Sequence, residues 1–126
     1  MLCLGNYSQK TGVLTLNGEP VTEKGEEGYA GNGLSKNKPE DESLRDRGPI
    51  PRGQYSIGVA HFHQKFKDKT MRLTPVDHRA LGRTDFLIHS DSIKNPGNAS
   101  KGCIVLKFKY RKLIAESGDT VLNVVR

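Results

Sequence analysis

Residues 85–106 read Asp-Phe-Leu-Ile-His-Ser-Asp-Ser-Ile-Lys-Asn-Pro-Gly-Asn-Ala-Ser-Lys-Gly-Cys-Ile-Val-Leu. An apolar run closes on His89, a polar and turn-rich stretch follows, and Ser-x-Gly-Cys leads into a second apolar run at Ile104 to Leu106. This is the pattern of strand, loop and strand. Side chains alternate across a strand, so Phe86 and Ile88 share one side while Leu87 and His89 share the other, which sets His89 at a strand end on the rim of the fold. Gly102 gives the backbone freedom to turn sharply before Cys103, and the amides of such a turn can hold an oxyanion. A thiol becomes a nucleophile as the thiolate, and a nearby imidazole or turn amides can lower its pKa from about 8.5. Cys103 is thus the candidate nucleophile and His89 its base. Ser90 and Asp91 are the neighbours able to orient the imidazole, and Ser100 stands beside the thiol. The bland alternative is a strand-ending histidine and a cysteine packed as a core residue.

Outward from this stretch the chain keeps the same character. Leu2 to Tyr7 and Thr11 to Leu16 are short apolar runs, and Asn17-Gly18 is a two-residue hairpin signal with Glu19 to Thr22 returning. Cys3 reads as a small buried residue of the first strand. Gly25 to Arg47 is polar and glycine-rich, so a long surface loop is expected there, with one helical turn near Asp41 to Leu44, in a position to act as a substrate lid. Within it Tyr29 and Asn32 could line a cleft. Gly48-Pro49-Ile50-Pro51-Arg52-Gly53 stiffens the approach to a strand over Gln54 to Val59, with Tyr55, Ile57 and Val59 on one face. Thr70 to Thr74 and Thr120 to Val125 read as further strands. A short helix is expected over Lys107 to Glu116, with Tyr110, Leu113 and Ile114 on its inner side.

The 126 residues, with 14 Gly and six Pro, fit one turn-rich and mainly β domain over 1–126. The net charge of +6 is uneven. Residues 51–126 hold 14 Lys or Arg against six Asp or Glu, and residues 1–50 hold six against eight. The half with His89 and Cys103 therefore draws anionic ligands, wall peptides with free carboxylates among them. Arg72, Arg83 and Lys101 are the cations placed to meet such carboxylates. No apolar run approaches the length of a membrane span. The first residues lack the basic and apolar parts of a cleaved leader, so cytoplasmic synthesis is expected. His61 and His63, two apart, could hold Zn²⁺ with His78, although no acidic or cysteine cluster stands near them. The aromatic residues Tyr55, Phe62, Phe66, Phe86, Phe108 and Tyr110 come with lysines but without a nucleic-acid-binding module, so no nucleic acid is expected as partner.

Ile88-His89-Ser90-Asp91, Pro96-Gly97 and Ser100-Lys101-Gly102-Cys103-Ile104-Val105-Leu106 resemble the active-site signature of YkuD-type L,D-transpeptidases. Gly48 to Ile57 resembles that family's Thr-Pro-x-Gly-x-Phe segment. Leu81-Gly82-Arg83-Thr84-Asp85-Phe86 is similar to the Gly-Arg-x-x-Phe of a branch of small effectors delivered by the type VI secretion system. The resemblance covers about residues 28 to 106. It implies a single-domain L,D-transpeptidase-like β-sandwich or mixed sheet with one or two short helices. It implies Cys103 as nucleophile, His89 as general base with Ser90 beside it, and Gly102 with the Cys103 amide at the oxyanion, with no cofactor. Arg83, Arg72, Lys101, Ser100, Asp91 and Tyr29 would then contact substrate. The implied activity is acylation of the thiol by a peptidoglycan tetrapeptide stem, then transfer to water or to a D-amino acid. The implied setting is the periplasm of a target bacterium, with an immunity protein and a secretion-system component as partners. The chain departs from the commoner family pattern at Lys101, where a His is usual, at Val105, where Arg or Asn is usual, and in a shorter loop between His89 and Ser100. The rival reading is a non-enzymatic basic module for cell wall or nucleic acid with a structural cysteine.

Overall fold

The computed structural model describes residues 5–126. The readings of Leu2 to Leu4 and of Cys3 lie outside the described residues. Among the described residues ten strands form one curled mixed sheet: β1 Gly5–Ser8, β2 Leu14–Leu16, β3 Glu19–Pro20, β4 Tyr29–Ala30, β5 Gly53–Ile57, β6 His61–His63, β7 Lys67–Pro75, β8 Phe86–His89, β9 Ile104–Val105 and β10 Val121–Val125. The order across the sheet is β3-β2-β1-β10-β5-β7-β8-β9-β4, with β6 paired to β7. An α-helix, α1 Phe108–Ser117, joins β9 to β10, and single 3₁₀ turns occupy Gly33–Ser35, Pro39–Asp41 and Ala80–Gly82. No helix among the described residues is long and apolar enough to cross a membrane.

Local chemistry explains the pieces. Asn17 and Gly18 both take positive φ, 54° and 79°, which is the left-handed pair that lets a two-residue turn match the twist of β2 and β3. The row Met71, Ile88 and Ile104 runs across β7, β8 and β9 in register, and all three side chains are buried in one core with Tyr7, Leu14, Tyr55, Phe86, Leu122 and Tyr110. Gly118, at φ 78°, closes α1 in the left-handed position that favours glycine.

Three expectations shift. The long loop is not featureless, because Tyr29–Ala30 pairs antiparallel with β9 and closes the sheet edge beyond Ile104 and Val105. Val59 lies past the end of β5 and is 89% exposed, since the chain turns out at Gly58 toward β6. On α1 the inward residues are Tyr110, Arg111 and Ile114, whereas Leu113 is 41% exposed. A charge thus occupies the inner side where the sequence suggested a leucine.

Strands β8 and β9 are parallel, with Ile88 opposite Ile104 and His89 opposite Val105. A parallel pair cannot be closed by a hairpin and needs a crossover of a dozen or more residues. Residues 90–103 are that crossover, so the polar stretch between His89 and Cys103 is a requirement of the sheet.

Candidate active site

The parallel register places Cys103 beside Leu87, one step before the Ile88–Ile104 pair. Leu87, His89 and Cys103 therefore share the face opposite the buried Met71–Ile88–Ile104 row, with His89 and Cys103 as diagonal neighbours. Both line one cavity of about 580 Å³, together with Phe66, Arg83, Asp85 and Lys101.

His89 is 1% exposed, so it forms the floor of the cavity rather than its rim. The cause is Phe66, at the turn between β6 and β7, whose ring stacks on the imidazole at 3.8 Å between centroids and 19° between planes. Nδ1 lies 2.6 Å from the Ser90 carbonyl. A carbonyl only accepts, so the proton is on Nδ1 and the lone pair is on Nε2. Burial, with the Arg111 and Lys65 charges, pushes the imidazole below its ordinary value of 6.5 against the opposing pull of the Ser90 carbonyl and Asp91. It rests neutral, as a base should.

The Cys103 sulfur is half-buried and accepts a hydrogen bond from the Leu87 amide at 3.3 Å. Burial pushes the thiol up from its ordinary value, although the Leu87 amide, the Arg83 charge and its own amide all favour the anion. Desolvation wins, so the imidazole and amides do not by themselves hold a resting thiolate. Of the two amides expected at an oxyanion, that of Gly102 donates to Ser100 Oγ at 3.0 Å. The Cys103 amide lies against its own sulfur and favours its anion.

The other expected substrate contacts are placed differently. Ser100 is buried, accepts from the Gly31 and Gly102 amides and donates to the Cys103 carbonyl at 2.6 Å, so it fastens the turn. Ser90 Oγ donates to the Phe66 carbonyl at 2.8 Å, and it is the Ser90 backbone that orients His89. Asp91 does not reach the imidazole: its carboxylate accepts from Tyr29 Oη at 2.6 Å and from the Ser92 and Gly97 amides. Tyr29 Oη in turn accepts from the Ala99 amide at 2.9 Å, so Tyr29 and Asp91 clamp the crossover shut instead of offering themselves to a ligand. Arg83 is 5% exposed and donates to four backbone carbonyls, which leaves no fork for a substrate carboxylate. Arg72 is exposed, 3.8 Å from the Asp85 carboxylate and outside the cavity. Lys101 is exposed and borders both this cavity and a neighbouring one of about 870 Å³, whose wall carries Lys65, Lys67, Lys94 and Asn32. His78 uses both ring nitrogens, donating to the Gln54 carbonyl and accepting from the Ala80 amide, so it cannot complete a metal site with His61 and His63. Among the suggested aromatic residues, Tyr55, Phe86 and Tyr110 are core residues.

Two contributors had no clear sequence signal. Phe66 covers His89 from a hairpin turn. Arg111, 4% exposed, donates to the Leu106 and Asp68 carbonyls at 2.6 and 3.1 Å behind the imidazole. Its only trace in the sequence is a cation one position along α1 from the core residue Tyr110.

The Tyr29 clamp has a measurable consequence. Tyr29→Phe removes one charge-assisted and one neutral hydrogen bond, which together are worth roughly 2–4 kcal/mol before partial exposure is discounted. The crossover should then open more often, so trypsin should cut after the exposed Lys94 several-fold faster in native buffer. Unchanged cleavage would show that the crossover is held elsewhere.

The same arrangement of strands recurs in solved structures. L,D-transpeptidase 1 of Mycobacterium tuberculosis superposes with a TM-score of 0.55 at 16% identity, over 99% of this chain and 62% of that one. L,D-transpeptidase 3 of the same organism, solved with a faropenem-derived adduct, gives 0.55 at 14% identity over 98% and 60%. An L,D-transpeptidase from Xylanimonas cellulosilytica gives 0.53 at 15% identity over 98% and 60%. The fold is thus that of L,D-transpeptidases, and the chain spans about 60% of the length of these proteins. No curated protein matches the sequence. The Tlde1 domain matches residues 24–124, a span that holds the crossover, the Gly48–Pro49 segment and the whole cavity wall, and by that match the chain belongs to the Tlde1 domain family.

Proposed function

We propose that this domain is a cysteine-dependent peptidoglycan-modifying effector that acts on tetrapeptide stems. The observation that carries the reading is His89: its Nδ1 proton is fixed on the Ser90 carbonyl, so its Nε2 lone pair is the basic atom in the cavity that also holds the Cys103 sulfur. In the proposed reaction Nε2 takes the thiol proton as sulfur attacks the carbonyl before the terminal D-residue. The oxyanion is met by the Cys103 amide. As the tetrahedral intermediate collapses, the C–N bond breaks and the imidazolium gives its proton to the leaving amine, which departs as the free D-amino acid and leaves a thioester. Water or the amine of another D-amino acid then attacks, its proton passes to His89, and the sulfur leaves and is reprotonated. Water gives trimming and a D-amino acid gives exchange. In this reading the protein works in the periplasm of a rival cell, and the producer needs an immunity protein and a delivery component. The basic half around the cavity, with Lys65 and Lys101 on its wall, suits stems that carry free carboxylates.

The test is mass spectrometry of products after incubation with disaccharide tetrapeptide and a D-amino acid. Tripeptide and exchanged stems are expected, because the shortened crossover favours small acceptors over a second stem. Dimers alone would contradict that acceptor preference, and unaltered stems would contradict the activity.

The two pKa directions set the pH profile. His89 must be neutral to act, and burial lowers its pKa, so kcat/KM should hold from neutral pH downward and fall only below 6.5. The thiol is raised, so alkylation of Cys103 by iodoacetamide should titrate above the ordinary thiol range. A thiol midpoint near 6, with activity lost on the alkaline side above neutrality, would instead indicate a preformed thiolate–imidazolium pair.

A further inference from the structure

Arg83 is a buried cation with no carboxylate in ion-pair contact among the described residues. Four of its five N–H donors go to backbone carbonyls: Nη1 to Glu42 at 2.6 Å and Pro49 at 2.8 Å, Nη2 to Gly48 and Lys101, each at 3.0 Å. The carbonyls satisfy direction but not charge, and a buried charge without a counter-ion is costly. The guanidinium also presses on the nucleophile's turn. Gly102 takes φ 135°, and a Cβ there would stand 2.5 Å from Arg83 Nη2 and 3.0 Å from Phe86 Cε1. The Phe86 ring lies 5.3 Å from the guanidinium carbon and supports it from one side. Asp46 and a Cys103 thiolate both favour this cation, and the thiolate, on the turn that Arg83 holds, exists only while the sulfur is reacting.

We propose that Arg83 is the positioning residue of the nucleophile: by gripping the Lys101 carbonyl and the Gly48–Pro49 segment together it sets the Lys101–Gly102–Cys103 turn, and its charge is the built-in counter-ion of the sulfur anion. This rests on Cys103 as the reacting sulfur but not on the identity of the acyl donor. The charges nearest the sulfur are consistent with that assignment. Arg45 and Asp46, of opposite charge, stand on the cavity wall and act on Arg83 in opposite directions, Lys65 and Lys101 are exposed, and burial favours neutral His89. Asp85 opposes the anion from an exposed position beside Arg72.

Cys103 alkylation by iodoacetamide as a function of pH, located by peptide mass spectrometry, tests this independently of any wall substrate. Arg83→Gln keeps some donors but loses the charge, so the midpoint should rise by about one unit. Arg83→Lys keeps the charge and loses the fork, so the midpoint should return to within a few tenths of wild type, while the plateau rate at full ionisation changes several-fold because the turn is no longer held. A folded Arg83→Gln protein with the wild-type midpoint overturns the proposal. If only the Lys variant folds, wild-type values of both midpoint and plateau rate overturn it. Should alkylation respond as expected while wall stems remain unaltered, the role of Arg83 stands and the proposed substrate fails.

Discussion

Cys103→Ala should abolish release of the terminal D-residue from tetrapeptide stems, by about four orders of magnitude or more in kcat/KM, and should leave the fold intact. The activity term follows from the chemistry, because alanine offers no atom that can form the thioester, and what remains is binding and the oxyanion amide. The fold term follows from the surroundings. The sulfur accepts one weak bond from the Leu87 amide and is half-buried, while the bonds that hold its turn come from Ser100 Oγ and Arg83. Removing one sulfur should cost no more than about 1–2 kcal/mol, so Tm should shift by a few degrees only. A variant that keeps its toxicity and turnover would favour the basic binding module over the enzyme.

His89→Gln is the second large effect, and it differs in kind. General-base catalysis contributes roughly 10²–10⁴ in rate, so kcat should fall by that much while KM changes little. Glutamine can still donate to the Ser90 carbonyl but has no basic nitrogen to take its place. The diagnostic is the pH profile: the acidic limb should vanish, because no imidazole remains to be protonated, and residual activity should rise with pH as the thiol ionises unaided. Persistence of the limb would assign it to another group. Loss of the stacked ring against Phe66 should also lower Tm, which far-UV circular dichroism separates from the catalytic loss.

The candidate pair was legible in sequence because the chemistry is local: a strand end, a turn-forming crossover and a glycine before a cysteine all lie within residues 85–106. The hairpin at Asn17-Gly18 and the helix after Leu106 were legible for the same reason, as a left-handed turn and a helical period. What stayed hidden depends on which distant segments meet. Val59, at the end of an alternating run, was indistinguishable from a core residue until β5 stopped at Ile57. Two residues of β4 owe their strand to the edge of β9 and carry no periodicity of their own.

The site shows the same division more sharply. Sequence brought His89, Cys103, Arg83, Ser100, Asp91 and Tyr29 into one neighbourhood, yet it read the last four as ligand contacts. In the structure their polar atoms are engaged within the protein, which is what a crossover without regular structure needs if its backbone is to hold still. Asp91 looked like an orienter of His89 because it is two residues away. The distance in sequence concealed that the Ser90 carbonyl is closer and that Tyr29, 62 residues earlier, claims the carboxylate. Phe66 could not be placed over His89 from spacing at all. Its contact is the product of the β6–β7 turn folding across the end of β8, and the consequence is large, since that ring makes the imidazole a buried neutral base.

The most direct test is to look for the thioester itself. Wild-type protein is incubated briefly with disaccharide tetrapeptide, quenched in acid and digested with trypsin, which cuts after Lys101 and Lys107 and isolates Gly102–Lys107 with Cys103 as its sole cysteine. The stem lacking its terminal D-residue should be found on that peptide in the wild type and be absent from Cys103→Ala. Turnover of the stem with the adduct on another residue, or with turnover retained in Cys103→Ala, would contradict the account.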